Sequence, residues 1–326
     1  MTDIRTSYLG LNLKNPFIAS ASPLASNLDG IKRIEDSGAS ALVLFSLMEE
    51  QFINDTGNNT GSVKNDTFAT RYSEDYPIDF KVSPDEYYEL IRKAKESVNI
   101  PVIASLNGTE PGEWLKAAES IDEAGADALE LNIYSPPIFN DLDPSLIDER
   151  YLGFAQIASE YTDIPTSVKL SPNHSNLISL IKKLDKSGID GFVLFNRNFQ
   201  PDIDVITMEQ VAKPYYSSVN DSILPMRWIS LLFGRVLGEM AASGGVISAE
   251  DAIKMMLVGA DAVMVFSAIM KHGFGIIKEM EDELRKWMLA RDFRTIDEFR
   301  GTMSTDNIDD PGAYERVQYL RILNNF

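Results

Sequence analysis

The chain of 326 residues contains no cysteine. That excludes disulfides, thiolate metal sites, cysteine-ligated iron–sulfur clusters and a cysteine nucleophile. Histidine is almost as scarce. His174 and His272 are too few and too far apart in the sequence to suggest a metal centre. Basic residues are in deficit, 30 Lys and Arg against 49 Asp and Glu, which leaves a net charge of −19. Nucleic acid and anionic membranes are therefore not expected partners. No uninterrupted apolar run of about 18 residues occurs. The first residues, Met1-Thr2-Asp3-Ile4-Arg5, form no apolar signal stretch. The expectation is a cytoplasmic protein without membrane contact.

What is present is a hydrophobic fraction of 44% and one phrase written four times. The copies are Ser37-Gly38-Ala39-Ser40-Ala41-Leu42-Val43-Leu44-Phe45, Ala124-Gly125-Ala126-Asp127-Ala128-Leu129-Glu130-Leu131-Asn132, Ser187-Gly188-Ile189-Asp190-Gly191-Phe192-Val193-Leu194-Phe195-Asn196 and Val258-Gly259-Ala260-Asp261-Ala262-Val263-Met264-Val265-Phe266-Ser267. Each reads as a helix end, a glycine where a C-cap needs a left-handed residue, and a short strand. The strands are apolar without alternation, as when both faces are covered. A second phrase, Asn99-Ile100-Pro101-Val102-Ile103-Ala104-Ser105 and Asp163-Ile164-Pro165-Thr166-Ser167-Val168-Lys169-Leu170, is interleaved with the first. Alternating strand types predict an α/β fold, a (β/α)8 TIM barrel in which alternate strands fill different core layers. A barrel of about 250 residues with insertions accounts for the length, so residues 1–326 read as one domain.

Strands are expected at 15–20, 41–45, 102–105, 128–132, 166–170, 191–195, 237–242 and 262–265. Helices are expected at 28–37, 84–98, 111–124, 148–161, 176–187, 225–233, 248–257 and 274–290, and near 295–299. Two long insertions interrupt the pattern. Residues 46–83 after strand two are polar, too long for a structureless connector, and read as a cover over the site. Residues 196–223 after strand six form the second.

Chemistry on such barrels sits at the C-terminal strand ends. Reading those ends yields Ser20, Ser46, Asn107, Asn132, Lys169, Asn196, Ser243 and Ser267. Three asparagines and a lysine converging on one mouth suit a planar, amide-rich ligand. Lys169 ends an apolar strand and needs an anionic partner if it points inward; a ligand anion is the expected one. Ser243-Gly244-Gly245-Val246 and Phe266-Ser267-Ala268 follow strands seven and eight, where these barrels cradle phosphate with backbone N–H groups. Ser135 stands three residues past a strand end, in Asn132-Ile133-Tyr134-Ser135-Pro136-Pro137.

These segments resemble the dihydroorotate dehydrogenase superfamily. The match runs through Asn15-Pro16-Phe17, Ser22-Pro23, Ala104-Ser105-Leu106-Asn107, Trp114, the stretch Ala124 to Asn132, Val168-Lys169-Leu170-Ser171-Pro172-Asn173, Ser243-Gly244-Gly245, Ser267-Ala268-Ile269 and Thr295-Ile296-Asp297-Glu298-Phe299-Arg300-Gly301. It is also similar to the pyrimidine-binding barrel of dihydropyrimidine dehydrogenase. The resemblance implies an FMN enzyme that oxidises dihydroorotate to orotate in pyrimidine biosynthesis. Ser20 and Ala21 would approach the flavin ring, and Lys169 would stabilise negative charge on the reduced ring. Ser243, Gly244, Gly245 and Ser267 would hold the phosphate, and Asn132 and Asn196 the pyrimidine. Ser135 falls where the family keeps its catalytic base.

Four departures stand against a simple transfer. Phe45 replaces a lysine usual at the end of strand two, and Pro137 an asparagine after the catalytic loop. The substrate segment with its asparagine is not recognisable between Phe68 and Phe80. Ser217-Ser218-Val219-Asn220 takes the place of a glycine-rich segment before strand seven. Two alternatives follow: a dihydropyrimidine dehydrogenase-like enzyme on another ring, or a degenerate FMN barrel that binds without turnover. The partners left open are a second copy of the chain and an electron-transfer protein.

Overall fold

The computed structural model describes residues 2–55, 80, 82–134, 144–197, 201–211 and 215–325. Eight parallel strands form the frame: β1 Phe17–Ala19, β2 Ala41–Val43, β3 Val102–Gly108, β4 Ala128–Ile133, β5 Thr166–Leu170, β6 Gly191–Leu194, β7 Glu239–Ser243 and β8 Ala262–Val265. Each pairs with the next, and β8 returns to β1 through Val263↔Phe17 and Val265↔Ala19. The sheet is a closed (β/α)8 barrel, as the alternating phrases predict.

Period-two alternation divides its side chains between two cores. Ile18, Ala41, Val43, Ile103, Ala128, Val193, Ala241, Ala262 and Met264 fill the interior. Neighbours such as Phe17, Leu42, Val102, Leu129, Val168 and Phe192 pack outward against the helices. An antiparallel hairpin, Thr6–Tyr8 with Leu11–Leu13, completes the inner core with Tyr8, Leu9 and Leu13. Each of these side chains contributes about 1.5–3 kcal/mol by burial. The hairpin is tied to the barrel at Gly10 N to Glu239 Oε2 (3.0 Å) and Thr6 Oγ1 to the Asp261 carbonyl (2.9 Å). That places it at the N-terminal end and leaves the C-terminal end of the barrel uncovered by it.

The repeated phrase has a mechanical explanation. Gly38, Gly125, Gly188 and Gly259 all hold φ between +89° and +118°, as the C-cap reading expects. Two residues later the aspartate clasps the start of the preceding strand. Asp127 Oδ2 accepts from Val102 N (2.7 Å), Asp190 Oδ2 from Thr166 N (2.8 Å) and Asp261 Oδ2 from Met240 N (2.7 Å). The backbone N–H of each aspartate donates back to the same residue's carbonyl. The first copy has Ser40 here, and its hydroxyl donates to the Phe17 carbonyl (2.8 Å). The Phe17 N–H is taken instead by Asn15 Oδ1 (3.0 Å). Hydrogen bonds to a charged group contribute roughly 1.5–3 kcal/mol each, so the phrase fixes strand register as well as the turn.

Several boundaries differ from expectation, for local reasons. Strand one begins at Phe17 because Asn15 serves as that cap. Strand three runs on to Gly108 because it pairs with β4 as far as Ile133. The helix expected at 111–124 divides into a 3₁₀ turn, Glu113–Lys116, and a helix, Ala117–Glu123. Strand seven starts at Glu239, since the Leu237 and Gly238 N–H groups donate to Asp185 instead. After β8 comes an unexpected short helix, Ser267–His272. Past the 3₁₀ turn Ile296–Glu298 lies an unexpected longer one, Pro311–Asn324, which buries none of its residues. Its start was legible: Asp310 caps Ala313 N and Pro311 is the first helical residue.

The two insertions carry structure of their own. After β2, Leu47–Met48 adds to the end of β3 and a helix spans Glu49–Asp55. The rest of the expected cover falls on residues 56–79, outside the described set. After β6, Asp202–Asp204 and Glu209–Val211 form a separate antiparallel ribbon. A 3₁₀ turn, Val219–Ser222, then leads into the helix Ile223–Leu232.

Candidate active site

A cavity of about 620 Å³ opens at the C-terminal ends of β1, β5, β6, β7 and β8. Its size is that of a cofactor pocket. Of the residues selected from the sequence, Ser20, Ala21, Lys169, Asn196, Ser243, Gly244, Gly245 and Ser267 all line it. Asn132 stands behind this wall: its Oδ1 accepts from Asn196 Nδ2 at 2.7 Å, so the two asparagines act as one unit. Ser46 and Asn107 are not part of the lining; Ser46 Oγ is hydrogen-bonded to Ser105 Oγ (2.8 Å) at the far side. Ser135, with Pro136 and Pro137, lies outside the described residues.

Lys169 points inward, as expected, and is almost fully buried. Its partner within the protein is Glu130, whose Oε1 lies 3.3 Å from Nζ. Sequence reasoning missed this carboxylate. The available signal was an acidic residue inside the repeated apolar strand, two places before Asn132 and so on the same face. An ammonium carries three donors, and Glu130 is the one hydrogen-bond acceptor found for it among the described residues. The remaining donors are available to a ligand anion in the cavity.

The loop after β7 is shaped by its glycines. Gly244 and Gly245 hold φ of +103° and +75°. A Cβ on Gly245 would lie 2.2 Å from Ser222 N, so this glycine lets the turn Val219–Ser222 close on the loop. A Cβ on Gly244 would meet nothing nearer than the Asp221 carbonyl at 3.6 Å. That glycine keeps its backbone open to the cavity. Ser267 Oγ accepts from Ser217 N (2.8 Å), and Lys271 Nζ donates to the Ser217 carbonyl (2.6 Å). The segment Ser217–Asn220, which sequence comparison marked as a departure, thus forms one wall of the cavity. Arg197, also missed from sequence, lines the same wall and donates to Ser217 Oγ (3.3 Å). Asp221 faces the cavity too, but its Oδ2 accepts from Ser218 N and Oγ.

Hydroxyls of Ser20 and Ser243, the cations Lys169 and Arg197, and the open glycine backbone form a donor set that suits a phosphorylated, anionic ligand, while the Ser267 hydroxyl donates to Ser217 Oγ (3.1 Å). Phe45 is not part of the lining: its ring packs edge-on against Tyr87, 5.1 Å between centroids. A second cavity, about 750 Å³, lies at the opposite end beside the hairpin. Its arginines are tied to carboxylates, Arg5 to Asp3 and Arg300 to Asp261 and Asp297. Burial pushes the Asp261 carboxyl up to about 6, against the opposing pull of Arg300. Among the described residues no cluster of His, Asp and Glu has the form of a metal site. No helix there is long and apolar enough to cross a membrane.

Comparison with known proteins shows the family. The family profile described as dihydroorotate dehydrogenase matches residues 4–288. The catalytic subunit of dihydroorotate dehydrogenase B (NAD(+)) from Thermoplasma volcanium is 29% identical, covering 92% of this chain and 98% of that protein. The protein of the same description from Methanothermobacter thermautotrophicus is 28% identical over 91% of this chain and 97% of its own length. The chloroplastic dihydropyrimidine dehydrogenase (NADP(+)) of Arabidopsis thaliana is 27% identical, covering 92% of this chain and 76% of that protein.

Proposed function

Because the chain belongs to the dihydroorotate dehydrogenase family and is an oxidoreductase of CH–CH donors, we propose that it holds FMN in the 620 Å³ cavity and oxidises a dihydropyrimidine ring. Dihydroorotate is the first substrate to test. The observation that carries the reading is the convergence of Ser20, Ala21, Lys169, Asn196, Ser243, Gly244, Gly245 and Ser267 on one cavity. These residues come from five strand ends. Ser243, Gly244, Gly245 and Ser267 would hold the phosphate, with Ser20 and Ala21 against the ring.

Bound FMN would supply the hydride acceptor. The chain's own residues do the rest. Lys169, directed into the cavity, stabilises negative charge that develops on the acceptor. Asn196, oriented by Asn132, presents its amide to the edge of the substrate ring. Ser135 is the proposed general base for the C5 proton, by its register with the family. A serine hydroxyl needs a relay to pass the proton on. With no cysteine, the chain holds no thiolate-bound iron–sulfur cluster of its own. A separate subunit that takes up the electrons is the proposed partner, as the description of its relatives as catalytic subunits suggests.

One observation favours a second substrate. Strand two leads into Phe45 and brings no cation to the lining of the cavity. A ring without the orotate carboxylate is therefore the runner-up. The test is reconstitution of purified protein with FMN, followed by anaerobic mixing with dihydroorotate and, separately, with dihydrouracil. Bleaching of the flavin by one of them identifies the ring. A protein that takes up no FMN refutes the reading.

A further inference from the structure

Glu130 is fully buried inside the barrel, in a layer of polar side chains between the apolar floor and the mouth. Its register partners on the two neighbouring strands are Ser105 and Ser167. Below lie Ile103 and Ala128 of the inner core. Its Oε1 meets Lys169 Nζ at 3.3 Å, while its Oε2 is buried without a hydrogen-bond partner among the described residues. The Tyr8 hydroxyl from the hairpin is also buried without one. Its phenol is pushed well above the usual value by burial and then by the charge of Glu130.

A carboxylate placed this way is expensive, because a buried charge must be offset by its partner. Among the described residues Lys169 is its one hydrogen-bond donor. The cation it meets thus lines the ligand cavity. We propose that Glu130 is a positioning residue: it holds the Lys169 ammonium at the cavity floor and offsets its charge, so that the pair rather than the lysine alone sets the reduction potential of the flavin. The inference rests on the FMN reading above.

Loss of the carboxylate would leave the full charge of Lys169 acting on the flavin. The reduced, more negative form would gain relative to the oxidised one. A residue that merely packs the interior would affect stability and leave the potential where it was.

The test is a redox titration of FMN-reconstituted parent, Glu130→Gln and Glu130→Asp proteins. Glu130→Gln is expected to shift the equilibrium towards reduced flavin at least tenfold, about 30 mV for a two-electron couple. Glu130→Asp, which keeps the charge, is expected to return most of that shift. Should Glu130→Gln not fold, the comparison is Lys169→Met against Lys169→Met/Glu130→Gln, which strands no ammonium. The added Glu130→Gln is again expected to shift the equilibrium towards reduced flavin tenfold, about 30 mV. Unchanged potentials in FMN-loaded variants overturn the proposal and leave the FMN reading intact. A parent protein that binds no FMN overturns both.

Discussion

The loop after strand seven can be tested by comparing two adjacent glycines. Gly245→Ala puts a methyl group 2.2 Å from Ser222 N, 2.7 Å from Ser222 Cβ and 2.8 Å from the Asp221 carbonyl carbon. These are backbone and near-backbone atoms that cannot rotate away. With φ at +75°, the residue also enters the left-handed region, which costs about 1–2 kcal/mol for an L-residue. Overpacking adds about 1–3 kcal/mol, so the expected loss is about 2–5 kcal/mol. Gly244→Ala has a positive φ as well, +103°, but its methyl group meets one atom at an ordinary 3.6 Å. It incurs only the backbone strain, about 1–3 kcal/mol.

The relief open to Gly245→Ala is to push the turn Val219–Ser222 outward, and that turn carries Asn220 and Asp221 in the cavity wall. FMN affinity should therefore fall at least tenfold, which corresponds to about 1.4 kcal/mol. Urea unfolding compares the stabilities, and fluorescence titration with FMN compares the affinities. A Gly245→Ala protein as stable as Gly244→Ala, with parental FMN affinity, would refute the reasoning.

Other outcomes follow from the same structure. Lys169→Ala should slow flavin reduction far more than it weakens substrate binding, and should cost about 3–5 kcal/mol by leaving Glu130 buried and unpaired; stopped-flow reduction at a parental rate removes Lys169 from the chemistry. Ser135→Ala should cut turnover about a hundredfold while flavin content is kept; parental turnover assigns the base elsewhere. Asp261 has its carboxyl raised from 3.8 to about 6, so the folded state binds this proton more tightly than the unfolded one. Its contribution is complete below pH 3.8 and is lost as pH rises to about 6, a difference of about 3 kcal/mol. Urea midpoints of parent and Asp261→Asn at pH 4 and pH 7 should show that slope in the parent alone. Removal of 311–326 should leave the unfolding free energy within about 0.5 kcal/mol of the parent, because the helix Pro311–Asn324 buries nothing and one of its ties, Arg227 to Glu315 (2.9 Å), is exposed. A large loss of stability would mean that this helix packs on the barrel.

The repeated phrase was sufficient to read the barrel, because a left-handed glycine followed by an unbroken apolar run is a local pattern. Strands 166–170 and 262–265 were legible residue for residue, since turns bound them on both sides. That Ser243, Gly244, Gly245 and Ser267 line one cavity was legible for a related reason: all of them stand at or just after strand ends, and those ends meet at one face of the barrel. Sequence alone also settled that a disulfide or thiolate cluster has no place in this chain, since the residues are absent.

Tertiary structure decided the pairings between distant segments. Glu130 and Lys169 stand 39 positions apart, and no spacing rule links adjacent strands of a barrel. The same holds for Asn132 with Asn196, for Ser217 over Ser267, and for Arg197 in the cavity wall. Each depends on which strands are neighbours and on how an insertion folds back. The role of the repeated aspartate was likewise hidden. Its carboxylate caps a strand N–H 21 to 25 residues earlier, and only the crossover through the intervening helix brings that strand alongside. Local propensity determines the elements; packing over distance determines which polar groups meet.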